Sequence, residues 1–310
     1  MIWDAPLSSR ITRRLAVALV LGLTAGSCTI DTQAPPPVVA MPAPPPPEHQ
    51  GPCPPREVRL DGAARQGSVL HGQALDGQIA VSLNGRPVPL APDRRFLIAL
   101  DRDEPATATI RVTLQGTCGQ FDKTLTIAPG KWDIQHVDAS ITGGVSSAEF
   151  KARRAAELER IAAARAKMTP GSSEGWRQDF IWPVVARISG QFGSQRIYRG
   201  TPGSYHSGVD LAAGAGATYV APADGVVLLA VDAPFTLEGN LLMIDHGMGL
   251  NSAFLHSQRL LVKEGDVVRR GQPIGIVGAT GRVTGPHLHW GMKWKDARLD
   301  PAALVQPDGR

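Results

Sequence analysis

A mainly β protein is what the sequence predicts, and three observations predict it. Residues 56–138 run in short alternating stretches rich in Val, Ile, Thr and Leu, broken by turn residues. Short strands of the same kind, separated by Gly-rich turns, return after Trp176. Only one segment, 146–169, carries a helical signature. The expected architecture is therefore a small antiparallel β-sandwich-like domain over 56–138, one connecting helix, and a C-terminal barrel-sandwich-like β domain over 176–305.

The first 27 residues read as a secretory signal. Arg10, Arg13 and Arg14 precede an apolar run from Leu15 to Leu23, which is too short for a spanning helix. Ala25-Gly26-Ser27 ahead of Cys28 resembles a lipoprotein signal, which makes a lipidated Cys28 the expected membrane attachment of an exported, periplasmic protein. Ala25 stands where such signals carry a larger aliphatic residue, so cleavage without lipidation stays open. Residues 28–55 follow as a Pro-rich linker; "APPPVVAMPAPPPPEHQGPCPP" can form neither a helix nor a central strand and acts as an extended spacer. The chain has 3 cysteines. With Cys28 taken by lipid, Cys53 and Cys118 are left to pair as a disulfide in an oxidising compartment.

Within 56–138, "GQIAVSLNGRPVPLAPDRRFLIALDRD" and "TATIRVTLQGTCGQFDKTLTIAP" place hairpin turns at Asn84-Gly85, Pro92-Asp93 and Gly116. His71 and His136 stand alone there as ordinary polar residues. In "SSAEFKARRAAELERIAAARAKM", Ser146 or Ser147 caps the helix, Glu149 lies in its first turn, and Pro170-Gly171 ends it. Phe150, Leu158, Ile161 and Met168 form one narrow apolar face, and Arg and Glu cover the rest. This is the pattern of a solvated connector. The formal net charge is only +4 and is spread along the chain. No concentrated basic face exists, which argues against nucleic acid as a partner.

The C-terminal β region holds five of the 8 histidines: His206, His246, His256, His287 and His289. Two groupings stand out, "YHSGVD" and "GPHLHW". Residues two apart on a strand face the same side, so His287 and His289 share a face. His206 and Asp210 share one if their segment is extended. Two such strands would offer three imidazoles and a carboxylate to one point, the inventory of a catalytic zinc site with an open position. The chain has no His-Glu-x-x-His helix and no cysteine after Cys118. Its single Gly-x-Ser-x-Gly match, residues 171–175, follows the end of a helix instead of a strand, so it is not a nucleophile elbow, and serine and cysteine nucleophiles are disfavoured.

Residues from about 185 to 295 resemble the lysostaphin-type, LytM-like (duplicated hybrid motif) zinc endopeptidases that cut peptidoglycan cross-bridges. The likeness rests on "ISGQFGSQR", "HSGVDLAAGAGATYVAPADGVV", "GNLLMIDHGMGLNSAFLHS", "VKEGDVVRRGQPIGIVGATG" and "GRVTGPHLHWGM". The resemblance implies that His206, Asp210 and His289 are ligands of one zinc ion per chain, and that His256 and His287 are the catalytic histidines. It implies peptidoglycan stem peptides and cross-bridges as partners, and a structural role for His246. The alternative it leaves is a catalytically silent or autoinhibited wall-binding protein that activates another murein hydrolase. The run "VKEGDVVRRGQPIGIVG" also resembles biotinyl and lipoyl carrier domains, but no lysine lies between residues 264 and 292 to carry the group.

Overall fold

A computed structural model describes residues 51–139, 147–231 and 233–305. The expected signal (1–27), the Cys28 anchor, the 28–55 linker as far as residue 50, and Ser146 lie outside the described residues. Among the described residues no helix is long and apolar enough to cross a membrane.

The first part is built from seven strands: β1 (Arg59–Asp61), β2 (Val69–Gln73), β3 (Gln78–Leu83), β4 (Arg86–Val88), β5 (Arg95–Ala99), β6 (Thr107–Leu114) and β7 (Gln120–Thr126). They make two antiparallel sheets, in the orders β1-β2-β5 and β4-β3-β6-β7. The alternation is the physical cause: along β6 Ala108, Ile110, Val112 and Leu114 are buried while their neighbours face outward. Asn84-Gly85 turns the β3–β4 hairpin with φ of 49° and 78°, the two positive values that a tight hairpin turn demands. Cys53 and Cys118 are joined in a disulfide with Cα atoms 5.5 Å apart. It ties the end of the proline-rich stretch to the turn between β6 and β7.

After β8 (Ile134–Val137) comes α1 (Ala148–Ala166), the one α-helix among the described residues. Ser147 Oγ caps it by accepting from Phe150 N at 3.0 Å. The expected helix face needs correction. Ile161 is buried as anticipated, but so are Arg154 and Glu157, and Phe150 and Leu158 are only half-buried. The reason is a partner that the helical pattern cannot reveal: Arg154 forms a bidentate pair with buried Glu238.

The remaining strands are β9 (Ile188–Gly190), β10 (Gln195–Tyr198), β11 (Thr201–Pro202), β12 (Gly208–Leu211), β13 (Thr218–Val220), β14 (Gly225–Ala230), β15 (Asn240–Gly247), β16 (Leu250–Ser257), β17 (Arg259–Leu260), β18 (Val267–Val268), β19 (Pro273–Ile276), β20 (Leu288–Trp294) and β21 (Ala297–Leu299). The main sheet runs β18-β14-β15-β16-β20-β12-β9, with β21 paired to β20, and a second sheet runs β13-β19-β17. β15 and β16 are buried at every residue, as central strands covered on both faces must be. Tyr219, Phe254 and Trp290 stack through the core at centroid spacings of 5.5 and 6.5 Å. The two halves of the chain touch. β8 pairs in parallel with β10, and buried Arg102 donates to Gly193 O at 3.0 Å while lying over the rings of Trp132 and Tyr205.

His246 is sealed in this core. Its Nδ1–H donates to Asp224 O at 2.8 Å, leaving Nε2 to accept from Ser252 Oγ at 2.8 Å. Burial pushes its pKa down from 6.5 to about 4. The unfolded chain therefore binds the proton more readily, and the associated stability is present above pH 6.5 and lost as pH falls towards 4. A His246→Gln variant should show a pH dependence of unfolding free energy flatter than wild type by about 3 kcal/mol across that window. Parallel curves from urea titrations would contradict this. The disulfide closes a separation of 65 residues; Cys118→Ala should lower the unfolding free energy by about 2–4 kcal/mol, and identical urea midpoints for the variant and the oxidised parent would refute it.

Candidate functional site

Antiparallel register assembles the site. β12 pairs with β20 so that Asp210 lies opposite His289, and β20 pairs with β16 so that Leu255 lies opposite His289 on the other side. Cross-strand neighbours share a face, which directs Asp210 and His289 to one point. His206 arrives differently from the extended segment considered for it. The strand begins only at Gly208, and His206 sits in the preceding loop, held by His206 N donating to Ser194 O and Gly193 N donating to His206 O, both at 2.8 Å. It nevertheless reaches the same point.

The three side chains converge closely. His206 Nε2 lies 3.0 Å from Asp210 Oδ1 and 3.1 Å from His289 Nδ1, and His289 Nδ1 lies 2.9 Å from Asp210 Oδ1. His206 Nδ1 is 3.0 Å from Gln191 O. A carbonyl only accepts, so Nδ1 carries a hydrogen and Nε2 is the nitrogen left to face the cluster. Burial works against charge on Asp210, but its contacts with His206 and His289 outweigh burial and hold the carboxyl far below the usual carboxylate range. Burial likewise opposes the His206 cation, yet Asp210 lifts that imidazole above its ordinary value. Burial depresses His289. Electron-pair donors facing one another at these distances call for a positive charge between them. Two imidazole nitrogens and one carboxylate oxygen are the donor set of a catalytic zinc site with a position left for water, so the residues fit that metal.

His256 and His287 stand beside this cluster with ring centroids 5.0 Å apart. His256 Nδ1–H donates to Thr280 O and His287 Nδ1–H to Gly285 O, each at 2.9 Å. Both Nε2 atoms are buried and without a hydrogen-bond partner. His287 Nε2 lies 3.6 Å from Asp210 Oδ1. Burial brings the His256 pKa down to about 4, which keeps the ring neutral and its Nε2 a proton acceptor. Strict alternation along β16 would send His256 to the face away from Leu255. A φ of 67° at His256 breaks that alternation.

Two residues of the site escape motif reading. A Cβ at Gly190 would lie 2.4 Å from Asp210 Oδ2, and one at Gly208 would lie 2.4 Å from Trp290 O and 2.7 Å from His289 Nε2. Gly190 makes room for the Asp210 carboxylate, and Gly208 for both the β20 backbone and the His289 ring. Both stand in the stretches "ISGQFG" and "HSGVD", where the spacing of the glycines to the acid and the histidines is the available signal.

Known proteins share this part of the chain. Residues 204–301 match the model of peptidase family M23. The peptidoglycan DD-endopeptidase ShyA of Vibrio cholerae is 42% identical over 105 residues, covering 34% of this chain and 24% of that relative. The DD-carboxypeptidase/endopeptidase Mpg of Neisseria meningitidis is 37% identical over 128 residues, covering 40% and 28%. The chain thus spans about a quarter of the length of the curated relatives that it matches. A crystal structure of a candidate peptidase M23 from Pseudomonas aeruginosa superposes with a TM-score of 0.59 at 28% identity, covering 79% of this chain and 96% of that one. Fold, motif positions and sequence likeness agree: the chain carries a peptidase family M23 domain of the LytM-like kind.

Proposed function

We propose that the chain is a zinc-dependent endopeptidase that hydrolyses the peptide cross-links of peptidoglycan outside the cytoplasm. The observation that carries this reading is the convergence of His206 Nε2, Asp210 Oδ1 and His289 Nδ1, next to two buried imidazole nitrogens that have no partner of their own. His206, Asp210 and His289 would hold one zinc ion, which supplies Lewis acidity to the scissile carbonyl and to the attacking water.

His256 and His287 supply the proton chemistry. Each ring is fixed by a backbone carbonyl at Nδ1, so its Nε2 is the only position that can take or give a proton. One Nε2 accepts a proton as water adds to the carbonyl, and that proton passes to the leaving amine. The other, protonated from solvent before attack, donates a hydrogen bond to the developing oxyanion and returns its proton to solvent when the product leaves. Asp210 keeps its negative charge throughout.

Names of relatives support the substrate class, since several are DD-endopeptidases of peptidoglycan. The bond cut would then join D-alanine to a diamino acid of the neighbouring stem. The Cys53–Cys118 disulfide suits an oxidising, extracytoplasmic site, where lipidated Cys28 would tether the chain to a membrane. A silent wall-binding activator is the poorer reading, because it has no use for two buried unpartnered imidazoles beside a ligand set.

Full-length protein loaded with zinc should release soluble fragments from dyed sacculi, and a chelator should stop it. His289→Ala should lose both bound metal, read by elemental analysis, and activity. His287→Ala should retain metal and lose turnover by about 10²–10⁴-fold. Undiminished hydrolysis in chelator or in His289→Ala would refute the proposal, and stimulation of a partner hydrolase by an inert wild type would favour the activator.

A further inference from the structure

The mechanism leaves a buried charge cluster unused. Arg154 of α1 and Glu238 are 8% and 0% exposed, and they share two hydrogen bonds, Nη1 to Oε2 at 2.6 Å and Nη2 to Oε1 at 2.7 Å. Glu157, one turn along α1, accepts from Arg154 Nη1 at 3.2 Å and from both the N–H and the hydroxyl of Thr236 at 2.7 Å. Arg153 adds a hydrogen bond to Pro234 O at 2.9 Å, and Arg160 lies over the Phe235 ring at 5.0 Å. The helix therefore grips one short turn, Pro234 to Gly239, from several sides.

That turn is the wall behind His256. Glu238, whose side chain is held by Arg154, accepts from His256 N through its own carbonyl at 2.8 Å. Leu237 O accepts from Arg282 N at 3.1 Å. Asn240 N donates to Thr280 Oγ1 at 2.9 Å, and Thr280 O is the acceptor that orients the His256 ring. Gly239 and Gly281 interlock so closely that a Cβ at Gly281 would lie 2.4 Å from Gly239 N. His256 itself sits at φ 67°. A non-glycine residue keeps such a conformation only where its surroundings over-determine it.

A buried ion pair is a poor way to stabilise a fold, since apolar packing of the same volume does as well or better; its best-attested use is to set a unique register. Here the register at stake is that of a turn with a strained histidine behind it. We propose that α1 is a positioning clamp, in which Arg154, Glu157 and Glu238 hold the 234–239 turn so that His256 faces the metal site with its Nε2 unpartnered. This rests on the reading of His256 as a catalytic residue, and the three clamp residues act through it without touching substrate.

The test uses the full-length chain and two readouts. The first is the Nδ1–H resonance of the His256 imidazole in the metal-free protein, assigned by its disappearance in His256→Ala. The second is the kcat and KM of the zinc-loaded protein on a soluble cross-linked stem-peptide dimer. Glu238→Gln keeps the size of the side chain and weakens the pair. The triple variant Arg154→Met, Glu157→Gln, Glu238→Gln removes every charge of the cluster, so no buried charge is left unpaired. Both variants should bind zinc as wild type does and should shift or broaden the His256 resonance. Turnover should fall, by at least tenfold in the triple variant, with KM little changed, and the single variant Arg154→Lys, with both carboxylates kept, should lose less than the triple variant. A folded variant of either kind with a wild-type resonance and wild-type kcat overturns the proposal. A wild type that fails to hydrolyse the dimer overturns the peptidase reading instead, and the resonance still decides whether the clamp positions His256.

Discussion

The pairing of β12 with β20 is the constraint on which the rest of the site depends. It sets Asp210 directly across from His289, and everything that follows must respect that register. A slip of one residue would turn one of the two side chains to the opposite face from the other. The register is defended from both sides. Trp290, next to His289, is fully buried against Phe254 and Trp182, while Val209 and Leu211, flanking Asp210, are buried as well. Alternation thus uses one face of the strands for core packing and the other for the carboxylate–imidazole cluster. The apolar face supplies the binding energy that keeps a carboxylate and two imidazoles at about 3 Å from one another.

Much of this is legible in the amino-acid sequence, and the reason is periodicity. His287 and His289 share a face because strands repeat every two residues, and their Gly-Pro lead places them at the start of one. The β class of both halves is legible in the same way, from alternating apolar residues and from Asn84-Gly85. What periodicity cannot carry is anything that depends on a partner distant in sequence. Arg154 and Glu157 look like the solvated side of an amphipathic helix, because period alone cannot show that Glu238 comes to meet them. An extended segment would put His206 on a strand with Asp210, but it lies in a loop, where Gln191, Gly193 and Ser194 position it. The glycines Gly190 and Gly208 read as turn-formers, whereas their work is to leave room for Asp210 and His289.

His256 shows where local preference yields to the site. Backbone in the left-handed region is unfavourable for a residue with a Cβ, and a histidine near the end of a buried strand gains nothing locally from adopting it. The conformation is sustained by neighbours: a carbonyl from Glu238 behind its N–H, and a carbonyl from Thr280 on its ring. His246, ten residues earlier, makes the contrast. It too is wholly buried, but both of its nitrogens have partners in Asp224 and Ser252, and although it sits at an irregularity of the β15–β16 register its φ stays out of the left-handed region. Of the two buried imidazoles, the one with an unpartnered nitrogen and an unusual φ is the one beside the His206–Asp210–His289 cluster. Burial, which lowers the pKa of both rings, does not distinguish them; hydrogen-bond satisfaction does.

The same criterion extends outward to the parts of the chain that hold no chemistry. Arg102, from the N-terminal half, donates to Gly193 O and to Gln195 Oε1, both at 3.0 Å. Gly193 N in turn donates to His206 O, so the loop that carries His206 is braced by the N-terminal half. On the opposite flank, α1 braces the turn behind His256. The loop that carries His206 and a strained strand are each held by an element that precedes the M23 domain in the chain. The surroundings of the His206–Asp210–His289 cluster are consequently a product of the whole described chain. A bare β domain would have to satisfy the Gly193 carbonyl and the Glu238 carboxylate with water, which orders neither of them as a guanidinium fork does.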